Sequence, residues 1–106
     1  MRYVSEILFE HMKIGMLLCD RNVGLTSEEI DVFSQLLNIP ASVTSSALKD
    51  LVAHGIITAK FGDNHQLHYV GTEYGGYFFQ KLCSVNKDAA SVHNVVRGLI
   101  YEADDS

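Results

Sequence analysis

Apolar positions recur along most of this chain at helical spacing, and in one region they alternate as strand positions do. Over residues 3–20, Val4, Ile7, Leu8, His11, Gly15 and Leu18 fall on one helical face, while Met12, Met16 and Cys19 make a second face apolar. A helix apolar on two sides is predicted to be covered twice, once by its own domain and once by a partner chain. The run Asp20-Arg21-Asn22-Val23-Gly24 breaks the pattern, and a short strand is expected over residues 23–25. Thr26-Ser27-Glu28-Glu29 then reads as a capping box, with Leu25 and Ile30 placed as a hydrophobic staple. Ile30, Phe33 and Leu37 supply the buried stripe of the helix that follows. It is predicted to end at Asn38-Ile39-Pro40, because Pro40 disfavours helical geometry at Ile39.

After this turn of about three or four residues, a third helix is expected to run to about His54. Thr44, Ala47, Leu48 and Leu51 face inward, Gly55 occupies the left-handed stop, and Ala41, Ser42, Ser45, Ser46 and Lys49 face out. Residues 57–61 and 66–70 alternate and are joined by Gly62-Asp63-Asn64-His65, a hairpin. Thr72 can cap a fourth helix with Tyr74, Tyr77, Phe78 and Leu82 on its stripe, Phe79 beside them and Gly75 permitting close approach. Asn86 can cap a fifth, in which Ala89, Val92, Val96, Leu99 and Ala103 alternate, with Val95 and Ile100 widening the stripe. Such a stripe on a terminal helix wants a partner, so Met12, Met16, Val92, Val96, Leu99 and Ala103 are the candidate dimerisation residues.

The residues of the middle section add to this order of elements. The ungapped stretch 33–57, through Leu37-Asn38-Ile39-Pro40-Ala41-Ser42 and on to Leu51-Val52-Ala53-His54-Gly55-Ile56-Ile57, resembles the core of winged helix-turn-helix domains. There, a Leu-Gly-Val-Ser turn leads into a Ser/Thr-rich recognition helix ending in Leu-x-x-x-Gly-Leu-Ile. Val70-Gly71-Thr72-Glu73-Tyr74-Gly75 resembles the Leu-Thr-x-x-Gly that opens the helix after the wing in the multiple-antibiotic-resistance (MarR) and phenolic-acid (PadR) repressor families. The resemblance covers about residues 20–82. It implies a mainly α fold with a small β-hairpin wing: one domain over 1–106, comprising an N-terminal helix at 1–20, helix-turn-helix and wing at 21–71, and additional C-terminal helices at 72–106 for dimerisation. It further implies a homodimeric, sequence-specific regulator of transcription on double-stranded DNA, a repressor by occlusion. The chain departs from the families where they usually carry Arg or Lys, having Ser45 and Ser46 on the recognition helix and His65 at the wing tip.

Charge sharpens that departure. The chain has 106 residues, eight Lys plus Arg against thirteen Asp plus Glu, and a formal net charge of −5. As a whole it does not attract polyanions. From Asn38 to Thr72 the firm charges are Lys49 and Lys60 against Asp50 and Asp63, so the expected contact region is neutral. On the DNA-binding reading Ser42, Ser45 and Ser46 bond phosphates or base edges, Lys49 supplies charge, and Lys60, Asn64 and His65 reach the backbone from the wing. The alternative is a winged-helix protein–protein interaction module, a small phage- or plasmid-type adaptor that binds no DNA, with those residues simply solvated.

Other chemistries find less in the sequence. Five histidines invite a metal site, but His65 and His68 stand at an odd offset on a strand and point to opposite faces, so no metal or other cofactor is expected. Cys19 and Cys83 lie in apolar surroundings, the usage of packing thiols in a reducing compartment, and pairing them would require α-carbons within about 7 Å. A nucleophile elbow, a phosphate-binding glycine loop and paired carboxylates with a cleft are all missing from the sequence, which argues against an enzyme. The aromatics Tyr69, Tyr74, Tyr77, Phe78 and Phe79 would line a small-molecule effector pocket if one exists. Glu6 and Glu10 interrupt any basic leader, and the uncharged run 32–48 contains Pro40, so the expectation is a cytoplasmic protein without a membrane span.

Overall fold

The computed structural model describes residues 9–21, 24–62 and 65–105, the side chains of Phe9 and of residues 102–105 excepted. Val4, Ile7, Leu8, Val23 and Asn64, together with the Ala103 side chain, lie outside the described residues. The first helix, α1 (Phe9–Arg21), is the centre of the molecule: Met12, Ile14, Met16, Leu17 and Leu18 are each at most 2% exposed. Its second apolar face needs no partner chain, because helices of the same chain close over it, and this corrects the expectation drawn from Met12 and Met16.

A two-residue strand, β1 (Leu25–Thr26), leads into α2 (Ser27–Leu36). The capping box is complete: the Glu29 amide donates to Thr26 Oγ1 at 3.2 Å, and the Thr26 amide donates to Glu29 Oε1 at 2.9 Å. Leu25 and Ile30, the staple pair, are both buried. Pro40 is not what ends the helix. Asn38 turns left-handed at φ 61°, its amide reaches the Gln35 carbonyl and the Ile39 amide reaches the Ser34 carbonyl. That Schellman stop is formed two residues before the proline.

The next helix, α3 (Ala41–Ala53), buries Thr44, Ala47, Leu48 and Leu51 as the spacing predicts. A second Schellman stop closes it, with Gly55 at φ 74°, Gly55 N–H on the Val52 carbonyl and Ile56 N–H on the Leu51 carbonyl. The wing follows at once. Strands β2 (Ile57–Phe61) and β3 (Leu67–Gly71) pair antiparallel with Ile57 opposite Gly71 and Phe61 opposite Leu67, and β1 pairs with the other edge of β3, giving the order β1-β3-β2.

Helix α4 (Glu73–Val85) is capped by Thr72, whose Oγ1 accepts from the Gly75 amide at 2.9 Å. The same hydroxyl donates to the carbonyls of Gly55 and Ile56, and the Thr72 amide also donates to Ile56, so the end of α3, the start of β2 and the start of α4 meet at one residue. The face that α4 buries is Gly75, Phe79 and Leu82. Tyr74 and Tyr77, expected on the inner stripe, are 58% and 54% exposed. Gly75 decides this register: a side chain there would overlap the Ile56 carbonyl, so that face lies flush against the core. Helix α5 (Lys87–Asp105) starts where Asn86 Oδ1 accepts from the Ala89 amide at 3.0 Å, and it packs on α1 and α4. Ala89 and Val96 are buried in the chain's own core, whereas Val92, Leu99 and Ile100 are partly buried against it.

Candidate nucleic-acid interface

Helices α2 and α3, joined by the Asn38 turn, form a helix-turn-helix whose second member shows one face to the core and the other to solvent. Ser42, Ser45, Ser46 and Lys49 all stand exposed on that outer face. The face is short-chained and polar, so a flat partner could approach the helix backbone closely. Pro40 precedes the first turn, and the α3 N-terminus carries no side-chain cap, leaving its amide dipoles directed outward.

One contact holds α3 in place that sequence spacing does not reveal. His11 on α1 is only 5% exposed, and its Nδ1 donates to Asp50 Oδ2 at 3.1 Å. The pair spans from the central helix to the flank of α3, next to Lys49. It is a positioning contact between sequence-distant residues, so neither helix's pattern announces it. His54, at the other end of α3, donates from Nδ1 to the Asp50 carbonyl at 2.8 Å.

On the wing, Lys60 is exposed and shares a sheet face with His68, its cross-strand partner. His65 is exposed too, in the left-handed conformation at φ 60°. His68 lies across Gly62 and donates from Nδ1 to the Gln66 carbonyl at 3.0 Å. Among the described residues, no group of three or more His, Cys, Asp or Glu is placed to hold a metal ion. The wing also carries a residue that sequence reasoning passed over: Phe61 is 75% exposed. The signal for finding it was its place next to the turn, beyond the reach of the core that buries Ile57.

Of the residues predicted to dimerise, Met12, Met16 and Val96 are consumed by the core, which removes them from any surface. On the two C-terminal helices the exposed large apolar side chains among the described residues are Tyr74, Tyr77 and Val85 on α4, with Val95 and Tyr101 on α5. Along α4 they border an open groove of about 700 Å³ with Phe78, Lys81 and Leu82. The aromatic cluster itself is split: Phe78 and Phe79 meet edge to face at 5.2 Å, Phe79 turning into the core, while Tyr74 and Tyr77 turn out. A smaller cavity of about 320 Å³ lies between α1, α4 and α5, lined by Cys19, Asp20, Phe79, Cys83 and His93. There His93 Nε2 donates to Asp20 Oδ2 at 2.6 Å, and both cysteines are free thiols.

Element order, the Schellman-stopped helix pair and the three-stranded wing define a winged helix-turn-helix fold. The solved structures similar to it include ZitR of Lactococcus lactis, in a doubly substituted apo form, with TM-score 0.61, 17% identity, and 92% of this chain aligned to 71% of that one. The transcriptional regulator SlyA superposes with TM-score 0.59 at 16% identity, covering 90% of this chain and 72% of its own. MepR, a transcription regulator of the Staphylococcus aureus multidrug efflux pump MepA, gives TM-score 0.52 at 15% identity over 90% of this chain and 63% of its own. No protein-family model matches the chain, and no curated protein matches it. Among the described residues, no helix is long and apolar enough to cross a membrane.

Proposed function

We propose that this protein is a duplex-DNA-binding regulator of transcription that acts as a homodimeric, cytoplasmic repressor by occluding its site, and that it performs no catalysis. The observation that carries the reading is the exposed row Ser42, Ser45, Ser46 and Lys49 on the second helix of a helix-turn-helix, with the wing directly after it. In this reading α3 enters the major groove. The serine hydroxyls bond phosphates and base edges, Lys49 meets a phosphate, and Lys60, Asn64 and His65 touch the backbone from the wing. Two similar folds, SlyA and MepR, are transcription regulators, which supports the same use here.

Each recognition surface is small and nearly neutral, so one alone binds weakly. Joining two raises the effective concentration of the second at a two-fold site. The dimer surface we assign to residues 72–106, through the uncovered apolar stripe of α4 and the outer face of α5, with Val92 and Leu99 at its margin.

The test is binding of purified protein to a pool of fluorescent genomic duplexes during a salt titration. Retention of a few fragments, weakening as salt rises, is the expected result. Lys49→Glu is expected to abolish retention while melting like the parent, since Lys49 is exposed. If the variant binds as tightly as the parent, α3 is not at the interface. A folded parent that retains no duplex even at low salt would favour the protein-interaction module instead.

A further inference from the structure

The DNA-binding reading leaves the most exposed aromatic side chain of the wing without a role. Phe61 closes β2, and among the described large apolar side chains only Val85 is more exposed. In the ladder Phe61 stands opposite Leu67, and Ala59 opposite Tyr69, on the sheet face that begins at buried Ile57. An apolar face that starts in the core therefore runs out along the wing and ends in a free ring. Lys60 and His68 occupy the other face. The backbone beneath the ring is hydrogen-bonded. Gly62 N–H donates to the Gln66 carbonyl at 2.9 Å, His65 N–H donates to Gly62, and the His68 imidazole lies over Gly62 so closely that a side chain there would meet it at 2.8 Å.

Charge says what such a ring could meet. The wing's one firm cation is Lys60, with Asp63 three residues on in sequence, so counterion release there amounts to one phosphate at most and leaves the rest of the wing's contact to uncharged groups. The faces of bases carry no net charge and accept an apolar ring. Because β2 leaves directly from the end of α3, a recognition helix in the major groove keeps the wing beside the same stretch of duplex. Resting on the reading above, we propose that Phe61 is a minor-groove wedge: its ring enters beside the α3 site, partly unstacks one base step and kinks the duplex. Pyrimidine–purine steps unstack most readily, so the wedge confers preference for such a step under the wing without any hydrogen bond to a base edge.

A short duplex recovered from a random pool by the parent protein, labelled at its ends with a dye pair and carrying 2-aminopurine at successive steps, tests this. The parent is expected to draw the ends together and to brighten 2-aminopurine at one step. Phe61→Ala should melt like the parent and keep its salt slope, yet leave the duplex straight and dark and bind about 10-fold more weakly. Phe61→Leu, another apolar wedge, should retain the kink. A straight duplex under the parent, or an equal kink with Phe61→Ala, overturns the wedge and leaves the DNA-binding reading standing. A parent that retains no duplex from the pool ends both.

Discussion

At Cys19, burial decides the chemistry of a single atom. Its Sγ sits 3.7 Å from the Ile56 carbonyl, against a helix end and a glycine that leaves no room for a side chain. Burial, and then the neighbouring charge of Asp20, push this thiol up to about 12 from 9.0, and the same two causes raise Cys83. The thiolate is the reactive form, so at neutral pH Cys19 is inert packing. The shift has a stability consequence with a definite sign. The folded chain keeps a proton that the unfolded chain releases above pH 9, so the stabilisation is complete below about 9 and is lost as pH rises from 9 toward 12. Urea midpoints are expected to fall across that window in the parent, and to fall less steeply in Cys19→Ala. Parallel curves for the two proteins would mean that Cys19 is not the group responsible.

At the scale of the element, α4 makes the sharpest test, because adjacent glycines have opposite jobs. A side chain at Gly75 would overlap the Ile56 carbonyl and stand 2.9 Å from Cys19 Sγ, whereas one at Gly76 would meet open space. Gly75→Ala is expected to cost about 1–3 kcal/mol through overpacking, while Gly76→Ala should add about 0.5–1 kcal/mol from helix propensity alone. Thermal melts that moved the two variants the same way would contradict the packing of α4. The same helix shows where sequence spacing stops being informative. Its aromatics satisfy a helical stripe through Tyr74, Tyr77 and Phe78 as readily as one through Gly75, Phe79 and Leu82, and only the close approach at Gly75 separates them. Signals confined to a few residues were legible in advance: the Thr26–Glu29 box, the Thr72 and Asn86 caps and the Gly55 stop all depend on neighbours in sequence. The outward face of α3 was legible for the same reason, since its inner stripe is regular. The His11–Asp50 contact, the exposure of Phe61 and the covering of Met12 and Met16 were not, because each depends on which distant segment lies above the residue.

The molecule as a whole carries a net charge of −5, yet the proposed interface must approach a polyanion, and both facts constrain how it would bind. With Lys49 and Lys60 as the cations of residues 38–72, each protomer neutralises about two phosphates, and log affinity should fall against log salt with a slope of about −2 per protomer. With so small an ionic contribution, the proposed reading needs two joined protomers, and the uncovered stripe of α4 is the surface assigned to join them. Tyr77 stands at its middle, 54% exposed, with the Lys81 ammonium 5.3 Å from the centre of its ring. A carboxylate placed there would disfavour an apolar contact between copies while facing a cation of its own chain, so the isolated fold should tolerate it. Tyr77→Glu is therefore expected to melt within a few degrees of the parent at equal monomer content, to halve the mass seen by light scattering, and to lower affinity for a two-fold site at least about 10-fold by removing the effective concentration of the second protomer. The salt slope should drop with it, from the value for two protomers to that for one. An unchanged mass would remove the α4 stripe from the proposed dimer contact. A halved mass with unchanged affinity and slope would mean that a single recognition surface suffices, and that the neutral face of α3 holds DNA more tightly than its charges allow.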